Sequence, residues 1–248
     1  MSLVSIITPI KNGSNLFRST YESVIYQTYR NFEWFIIDDG SSAEEKENIE
    51  SILVDDRASY ITGGQGNGPG KARNIGLKLI AGDYVSFIDS DDLWDQDFLI
   101  KSISELKKQK VSFVFAGYKR LILSSGVYLD DFLPTRKVTQ ASILAGSDIS
   151  CLTALMSRSL LTDNTTFGEI PARNDLVFFY RVLGSGDAFP ISESLATYRL
   201  KKTSVSSNKL RALKYQFIVN RKFAKKTLII SVVNVTKWVF YGLRKYKS

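Results

Sequence analysis

The acidic stretch at residues 85–92 decides how this chain folds. It reads Val85-Ser86-Phe87-Ile88-Asp89-Ser90-Asp91-Asp92. A short, mostly apolar run that stops at acids is typical of a buried parallel strand. In an open α/β sheet, ligands bind beyond the carboxyl ends of such strands. We therefore predict that these aspartates border a ligand site.

A second apolar run ends in acids in the same way. Residues 35–37 lead into Asp38 and Asp39. The carboxyl ends of parallel strands meet at one edge of a sheet, so these side chains are expected at the same site, holding polar groups of its ligand. The acids of residues 89–92 repel one another unless a cation joins them, and Mg²⁺ commonly binds one or two carboxylates plus substrate phosphates. The sequence therefore predicts a Mn²⁺ or Mg²⁺ site and a metal-chelated nucleotide. The alternative is an acidic turn that caps the next helix.

The composition restricts the chemistry. The chain has 248 residues, of which 44% are hydrophobic, enough for one large α/β domain or a domain with an appendage. It contains no histidine, which excludes His-ligated metal sites and Ser-His or Cys-His nucleophile pairs. Cys151 is the only cysteine, which fits a reducing cytoplasm. The N-terminus leads directly into a strand, so we expect no signal peptide.

The order of the elements indicates the fold class. Between residues 4 and 115, apolar runs alternate with segments of helical spacing. This alternation predicts an α/β fold with a Rossmann-like, mostly parallel sheet, right-handed crossovers and flanking helices. Beyond residue 117 the pattern weakens: we expect strand and loop over 118–135, a short helix over 139–145 and a helix over 174–183.

Two helix starts carry candidate ligand groups. The glycine-rich residues 63–70 precede a helix that begins with Lys71 and Arg73. Amides at a helix N-terminus favour phosphate, and Lys71 and Arg73 add positive charge. The stretch is not a Walker loop, and a flexible surface loop fits it equally well. Asp175 begins a later helix, where it is either a general base or an ordinary N-terminal cap.

The charge is divided unevenly along the chain. Residues 1–200 carry 20 Lys and Arg against 25 Asp and Glu, whereas residues 201–248 carry 13 Lys and Arg and no acid. Residues 209–248 are expected to form a basic amphipathic helical tail that lies on an anionic membrane surface, or else packs on the body or another subunit. The apolar part is short and interrupted by Asn234 and Lys237, so spanning is not expected. The acidic body and the lack of a recognisable motif make nucleic acid a poor partner.

The ordered motifs resemble the inverting family 2 glycosyltransferases of bacterial surface-polysaccharide pathways, which have the GT-A fold. The residues that carry the resemblance are 4–9 with Asn12, 23–29, 35–42, 72–76 and 82–94. The resemblance implies a GT-A domain over 1–208, with a nucleotide-binding half at 1–117 and an acceptor half at 118–208, followed by the helical tail.

The resemblance also implies roles for individual residues. The donor nucleotide would be held by Pro9, Asp38, Asp39 and Arg73. Asp89 and Asp91 would form the Asp-x-Asp metal motif, with Asp92 adjacent, and Asp89 and Ser90 would also bind the nucleotide-sugar. Asp175 would be the catalytic base, with Asn174 replacing the glutamate that precedes this base in relatives.

A second departure concerns the residues that follow Tyr198-Arg199. Many relatives have a histidine shortly after this pair, whereas here Lys201 and Lys202 follow Leu200, before Ser204 and Ser206. A protonated lysine cannot ligate a metal, so Lys201 is expected to pair with the diphosphate directly.

The implied reaction is sugar transfer from a nucleoside diphosphate-sugar, expected to be a UDP-sugar, to a glycan or a lipid-linked oligosaccharide. The implied location is cytoplasmic, peripheral at the inner membrane face. Two alternatives stay open at this point: a sugar-phosphate nucleotidyltransferase, and a non-catalytic module that binds a nucleotide or a glycan.

Overall fold

The computed structural model of the chain describes residues 2–146, 148–201 and 209–245. Within these residues the strands form a nine-stranded sheet. The strands are β1 (Val4–Ile10), β2 (Phe32–Asp38), β3 (Ala58–Thr62), β4 (Tyr84–Phe87), β5 (Leu93–Trp94), β6 (Phe113–Ile122), β7 (Val127–Phe132), β8 (Ala154–Ser157) and β9 (Phe189–Leu200).

Helices flank this sheet and continue beyond it at the C-terminal end. They are α1 (Ser14–Ile25), α2 (Ala43–Glu50), α3 (Pro69–Gly76), α4 (Phe98–Gln109), α5 (Asn174–Val182), α6 (Lys209–Ile218) and α7 (Leu228–Lys245). A π-helical turn, Val219–Phe223, continues α6. The helix expected over 139–145 is only a 3-10 turn, Ile143–Ala145.

The sheet changes character along its width. Its order is β3-β2-β1-β4-β8-β6-β9-β5, with β7 paired on β6. The part built from β1 to β4 is parallel, as predicted for residues 4–88, and Ile7 lies opposite both Phe35 and Phe87. β8 is antiparallel to both β4 and β6. β5 is antiparallel to β9, and β7 is antiparallel to β6. The sheet is therefore parallel from β1 to β4 and mixed in the rest.

Two apolar layers cover the faces of the sheet. Successive residues of β1 point to opposite faces, so Ile6 enters the layer around Trp34 and Ile7 enters the layer around Phe87. Gly76 lets α3 lie directly on β1, because a Cβ there would come within 2.6 Å of the Ile7 side chain. This close packing brings the start of α3 to the carboxyl end of the parallel strands.

The C-terminal helices pack against the body through a polar inner side. Gln216 is fully buried and donates to the Leu144 carbonyl at 2.8 Å. Asn234 donates to Asn220 at 2.8 Å, which links α7 to the end of α6. The alternative interpretation, a tail that packs on the body, therefore describes this side, while α7 exposes apolar residues on its other side. Within the described parts of the chain, we find no helix with the length and apolarity to cross a bilayer.

Candidate active site

The predicted site residues of the first two strands meet at the carboxyl edge of the sheet. Pro9 pairs in register with Ile37, and the backbone amide of Asp39 donates to the Ile10 carbonyl at 2.7 Å. β4 ends at Phe87, two residues before Asp89. Pro9, Asp38, Asp39 and Asp89 therefore lie along one edge, where an α/β sheet binds its ligand.

Asp38 is used mainly to build its own turn. Its Oδ1 accepts a hydrogen bond from the Ser41 amide at 3.0 Å, and its Oδ2 lies 3.6 Å from the ammonium of Lys46. The side chain is only 1% exposed. Its position therefore favours a structural role over direct contact with a ligand.

Asp39 holds the glycine-rich loop in place. Its two carboxylate oxygens accept from the amides of Asn67 at 3.0 Å and Gly68 at 2.7 Å. Gly64 crosses so close to Asp39 that a Cβ there would collide with its backbone. The stretch lies at the surface, and two of its backbone amides are bonded to the buried carboxylate of Asp39.

A cavity of about 220 Å³ lies between this loop and α3. Asp39 and Lys71 line it, as do three residues that sequence reasoning missed, Asn67, Lys78 and Glu169. Lys71 lies 3.6 Å from the carboxylate of Glu169, and both side chains are well exposed. No sequence signal marked Glu169, because it comes from the weakly patterned part of the chain beyond residue 117.

Arg73 is the buried cation of the site. Its side chain is 5% exposed, forms an ion pair with Asp89 and lies 5.2 Å from the centre of the Phe167 ring. Burial lowers the pKa of Arg73, but the carboxylates of Asp89 and Asp175 and the Cys151 thiol more than offset it, so the pKa is raised. Arg73 thus stays charged within electrostatic reach of Asp89, the predicted metal ligand, and Asp175, the predicted base.

The turn at residues 89–92 separates its acids. Asp91 Oδ2 lies 2.7 Å from the ammonium of Lys201, and Asp91 is 33% exposed. Asp92 is almost fully buried and accepts from the Arg199 amide at 2.8 Å. Burial, followed by the neighbouring charges of Asp89 and Asp91, raises the pKa of Asp92. Asp92, predicted as a third metal ligand, therefore lies inward, away from the exposed edge.

Arg199 clamps this turn onto α1. Its guanidinium donates to the Asp91 carbonyl, to Ser19 Oγ at 2.6 Å and to Thr20 Oγ1 at 2.8 Å. Thr20 in turn donates to the Ser90 carbonyl at 3.0 Å. Ser90, which is predicted to bind the donor, therefore has its backbone fixed by α1. Lys202, Ser204 and Ser206 lie outside the described residues.

Asp175 does not cap its helix. The N-cap is Arg173, in the left-handed conformation with φ 62°, and no side chain makes a capping hydrogen bond. Asp175 lies in the first turn. Burial raises the pKa of the Cys151 thiol; the charge of Arg73 opposes this rise, and the carboxylates of Asp175 and Asp89 add to it. The simple capping interpretation is therefore wrong, and Asp175 stands near Arg73 and the acidic turn.

Two asparagines hold α5 against α3. The side chain of Asn74 accepts from the Phe167 amide at 2.7 Å and donates to the Phe167 carbonyl at 3.1 Å. Asn174 lies against Gly70, where a Cβ would come within 3.0 Å of its side chain. The start of α5 is thus fixed on α3, which explains how Asp175 reaches the edge of the sheet.

Comparison with known proteins identifies the family. The model for the family described as glycosyl transferase family 2 matches residues 5–162. The chain belongs to glycosyl transferase family 2. This membership confirms the resemblance drawn from the motifs and favours glycosyl transfer over nucleotidyl transfer or non-catalytic binding.

Named relatives of this family 2 glycosyltransferase work on bacterial glycans. It is 30% identical to the UDP-Glc:alpha-D-GlcNAc-diphosphoundecaprenol beta-1,3-glucosyltransferase WfgD of Escherichia coli, over 98% of this chain and 95% of the relative. It is 33% identical to the putative teichuronic acid biosynthesis glycosyltransferase TuaG of Bacillus subtilis (strain 168), over 90% of this chain and 89% of the relative.

Solved structures confirm the GT-A fold of the glycosyltransferase. TarS 1-349 of S. aureus, solved in complex with UDP-GlcNAc, superposes with a TM-score of 0.74 at 17% identity, over 98% of this chain and 73% of that one. The mannosyltransferase PcManGT of Pyrobaculum calidifontis, in complex with GDP-Man and Mn²⁺, gives a TM-score of 0.69 at 15% identity, over 98% and 70%. At such identities the likeness concerns the fold alone.

The C-terminal helices of the glycosyltransferase brace the start of α5. The guanidinium of Arg173 donates to Gln216 Oε1 at 2.9 and 2.7 Å and lies 5.1 Å from the centre of the Trp238 ring. Asp175 follows two residues later. Both α6 and α7 therefore help to fix the helix that carries the predicted base, a connection that no sequence pattern indicated.

The acidic turn of the glycosyltransferase fits a divalent cation. Asp89 and Asp91 are 38% and 33% exposed, and each is paired with a cation, Arg73 or Lys201. Mg²⁺ and similar ions need only one or two carboxylates when substrate phosphates supply further oxygens. Among the residues that the structure describes, no three His, Cys, Asp or Glu side chains are grouped to hold a metal by themselves. A cation shared with a diphosphate therefore suits this site better than a metal held by protein alone.

Proposed function

We propose that this glycosyltransferase moves a sugar from a UDP-sugar to a hydroxyl of a lipid-linked glycan, with inversion at the anomeric carbon. One observation carries the proposal. The buried Arg73 forms an ion pair with Asp89 of the acidic turn, and its helix α3 lies at Gly70 against the side chain of Asn174, the neighbour of Asp175. A donor diphosphate and an acceptor hydroxyl would then be within reach of neighbouring groups, as a single displacement requires.

The donor half of the site is proposed at the carboxyl edge of β1, β2 and β4. Pro9, Asp39 and the loop cavity beside Lys71 would receive the nucleoside. Asp89 and Asp91 would hold Mn²⁺ or Mg²⁺, which neutralises charge on the departing diphosphate. Arg73 adds a fixed positive charge. Lys201 moves from Asp91 to the diphosphate, where it also stabilises the negative charge of the leaving group.

The acceptor half supplies the base. Asp175 takes the proton from the acceptor hydroxyl, whose oxygen forms the new bond to the anomeric carbon. The bond from that carbon to the diphosphate oxygen breaks on the opposite face, and the electron pair leaves with UDP. An α-linked donor therefore gives a β-linked product.

The acceptor class is inferred from the relatives and the tail. WfgD is named for an acceptor in which GlcNAc is linked through diphosphate to undecaprenol, and its product linkage is named beta-1,3. A lipid-linked acceptor resides at a membrane, and the C-terminal residues of this chain are basic and partly apolar. We infer the same class of acceptor here and a location at the cytoplasmic face of the inner membrane.

Donor binding is tested by thermal unfolding of the full chain with nucleotide sugars. UDP-glucose and UDP-GlcNAc in the presence of Mn²⁺ are expected to raise the unfolding temperature, because only the native cleft binds them. GDP-mannose and dTDP-glucose serve as controls for the nucleobase. A larger shift with GDP-mannose than with either UDP-sugar would refute the assignment of the nucleotide.

Membrane association is proposed through the outer side of α7. Ile229, Val232 and Val233 are 76%, 52% and 44% exposed. Basic residues precede this side at 221–226, and residues 201–248 contain no acid. An exposed apolar face beside positive charge suits the interface of an anionic bilayer.

Substitution of this outer side is expected to release the protein from vesicles. The double variant Ile229→Glu with Val233→Glu should lower the fraction that floats with anionic liposomes by about tenfold, since it removes apolar area and adds two repelled charges. Val54→Glu on the body, where Val54 is 86% exposed, is the control and should float like the wild type. If the double variant floats equally well, α7 is not the membrane contact.

A further inference from the structure

We propose that the groove between residues 136–146 and α7 binds the diphosphate and the first hydrocarbon units of the lipid-linked acceptor. The groove has a volume of about 730 Å³. The inference rests on the proposed function and deepens it, because it assigns the acceptor's lipid end to residues that have no part in donor binding.

The charge of the groove matches a diphosphate. Arg136, Lys137 and Lys237 line it, and no Asp or Glu is among its lining residues in the part of the chain that the structure describes. Lys137 forms an ion pair with Asp187 at 3.0 Å, and Arg136 lies 3.9 Å from Asp148 while remaining 61% exposed. Lys237 is exposed and has no ion-pair partner within the described ranges. Arg136 and Lys237 can therefore meet an anion from opposite walls.

The groove also continues into the apolar outer side of α7. Phe240 lines the groove and is 62% exposed, and Leu243, one turn away, is 55% exposed. Tyr241 closes the groove from α7, stacked under Arg136 at 5.0 Å and packed against Gly146. A ligand with an anionic head and a hydrocarbon tail would contact both the basic and the apolar residues, whereas free phosphate would contact only the basic ones.

Both walls of the groove lead to the active site. On the 136–146 wall, the Leu144 carbonyl accepts a hydrogen bond from Gln216, whose Oε1 in turn accepts from Arg173. On the α7 wall, Trp238 follows Lys237 directly and packs under Arg173, two residues before Asp175. A sugar joined to a diphosphate in the groove would therefore extend toward the proposed base.

Binding to defined vesicles tests the groove without requiring sugar transfer. The full chain is sedimented with zwitterionic vesicles that carry polyprenyl diphosphate, or phosphatidylglycerol at the same total charge. We expect preferential binding to the diphosphate lipid, and Lys237→Gln should weaken that preference by about tenfold. Lys107→Gln is the matched control, since it removes the same charge from an exposed position of α4, outside the groove and the C-terminal helices. Equal binding to both vesicles, or an equal loss in both variants, would overturn the proposal.

Kinetics separate this proposal from the proposed function. With polyprenyl-diphosphate GlcNAc as acceptor, Lys237→Gln is expected to raise the acceptor KM about tenfold and to leave kcat and the donor KM unchanged. With a neutral alkyl GlcNAc glycoside as acceptor, the acceptor KM of Lys237→Gln should equal the acceptor KM of the wild type. An equal rise of KM for both acceptors would refute a diphosphate site. If the wild type uses neither acceptor, the proposed acceptor is wrong, and the vesicle experiment still decides whether the groove binds the diphosphate lipid.

Discussion

Asp175→Asn is expected to lower the rate of sugar transfer by about 10³-fold, because a positioned general base contributes roughly 10²–10⁴-fold. Asparagine has nearly the same shape but cannot accept the proton of the acceptor hydroxyl. The donor groups at Asp39, Arg73 and Asp91 are untouched, so UDP affinity should change little. Initial rates of UDP release in the presence of acceptor measure the transfer rate, and calorimetric titration with UDP measures the UDP affinity.

The control for this variant is Asp163→Asn, an exposed acid in the loop that precedes α5. It should transfer sugar at the wild-type rate. A wild-type rate in Asp175→Asn would remove Asp175 from the mechanism. A loss of UDP binding in parallel with the rate would instead assign Asp175 to donor binding.

Asp91→Asn is expected to abolish the dependence of UDP-sugar binding on Mn²⁺ and to lower kcat/KM on the order of 100-fold. Asp91 is a partly exposed carboxylate beside the proposed diphosphate, so its loss removes a cation ligand and the partner of Lys201. Titration of UDP-glucose with and without Mn²⁺ measures the effect: the two affinities should become equal in the variant.

Two further substitutions make this test specific. Asp95→Asn is a matched control, because Asp95 is 36% exposed and lies 3.4 Å from the ammonium of Lys119. Asp92→Asn keeps an oxygen that can accept from the Arg199 amide, so Mn²⁺-dependent binding should survive. If Asp92→Asn loses that dependence as fully as Asp91→Asn, the inward position of Asp92 does not describe the metal-bound protein.

The parallel half of the fold could be predicted because its signals are local. The strands β2 and β4 are short apolar runs, and they are followed by residues of the proposed site, Asp39 and Asp89. The approach of Arg73 to the acidic turn follows from the same order of elements. The family motifs fall in this half, so resemblance and periodicity indicate the same edge of the sheet.

The remaining features depend on contacts between distant residues. β9 contains Pro190, Ser192 and Glu193, which obscure the alternation expected of a strand, and it is formed by pairing with β6 and β5. The inward turn of Asp92 depends on the amide of Arg199, more than a hundred residues later. The brace from Gln216 and Trp238 to Arg173 likewise joins segments that spacing cannot relate.

The anomeric configuration of the product tests the central claim most directly. The full chain is incubated with UDP-glucose, Mn²⁺ and polyprenyl-diphosphate GlcNAc in anionic vesicles, and the released disaccharide is examined by proton NMR. The proposed single displacement predicts a β-linked glucose formed in step with UDP release and lost in Asp175→Asn. An α-linked glucose would contradict it, because retention of configuration requires a mechanism other than direct attack assisted by Asp175.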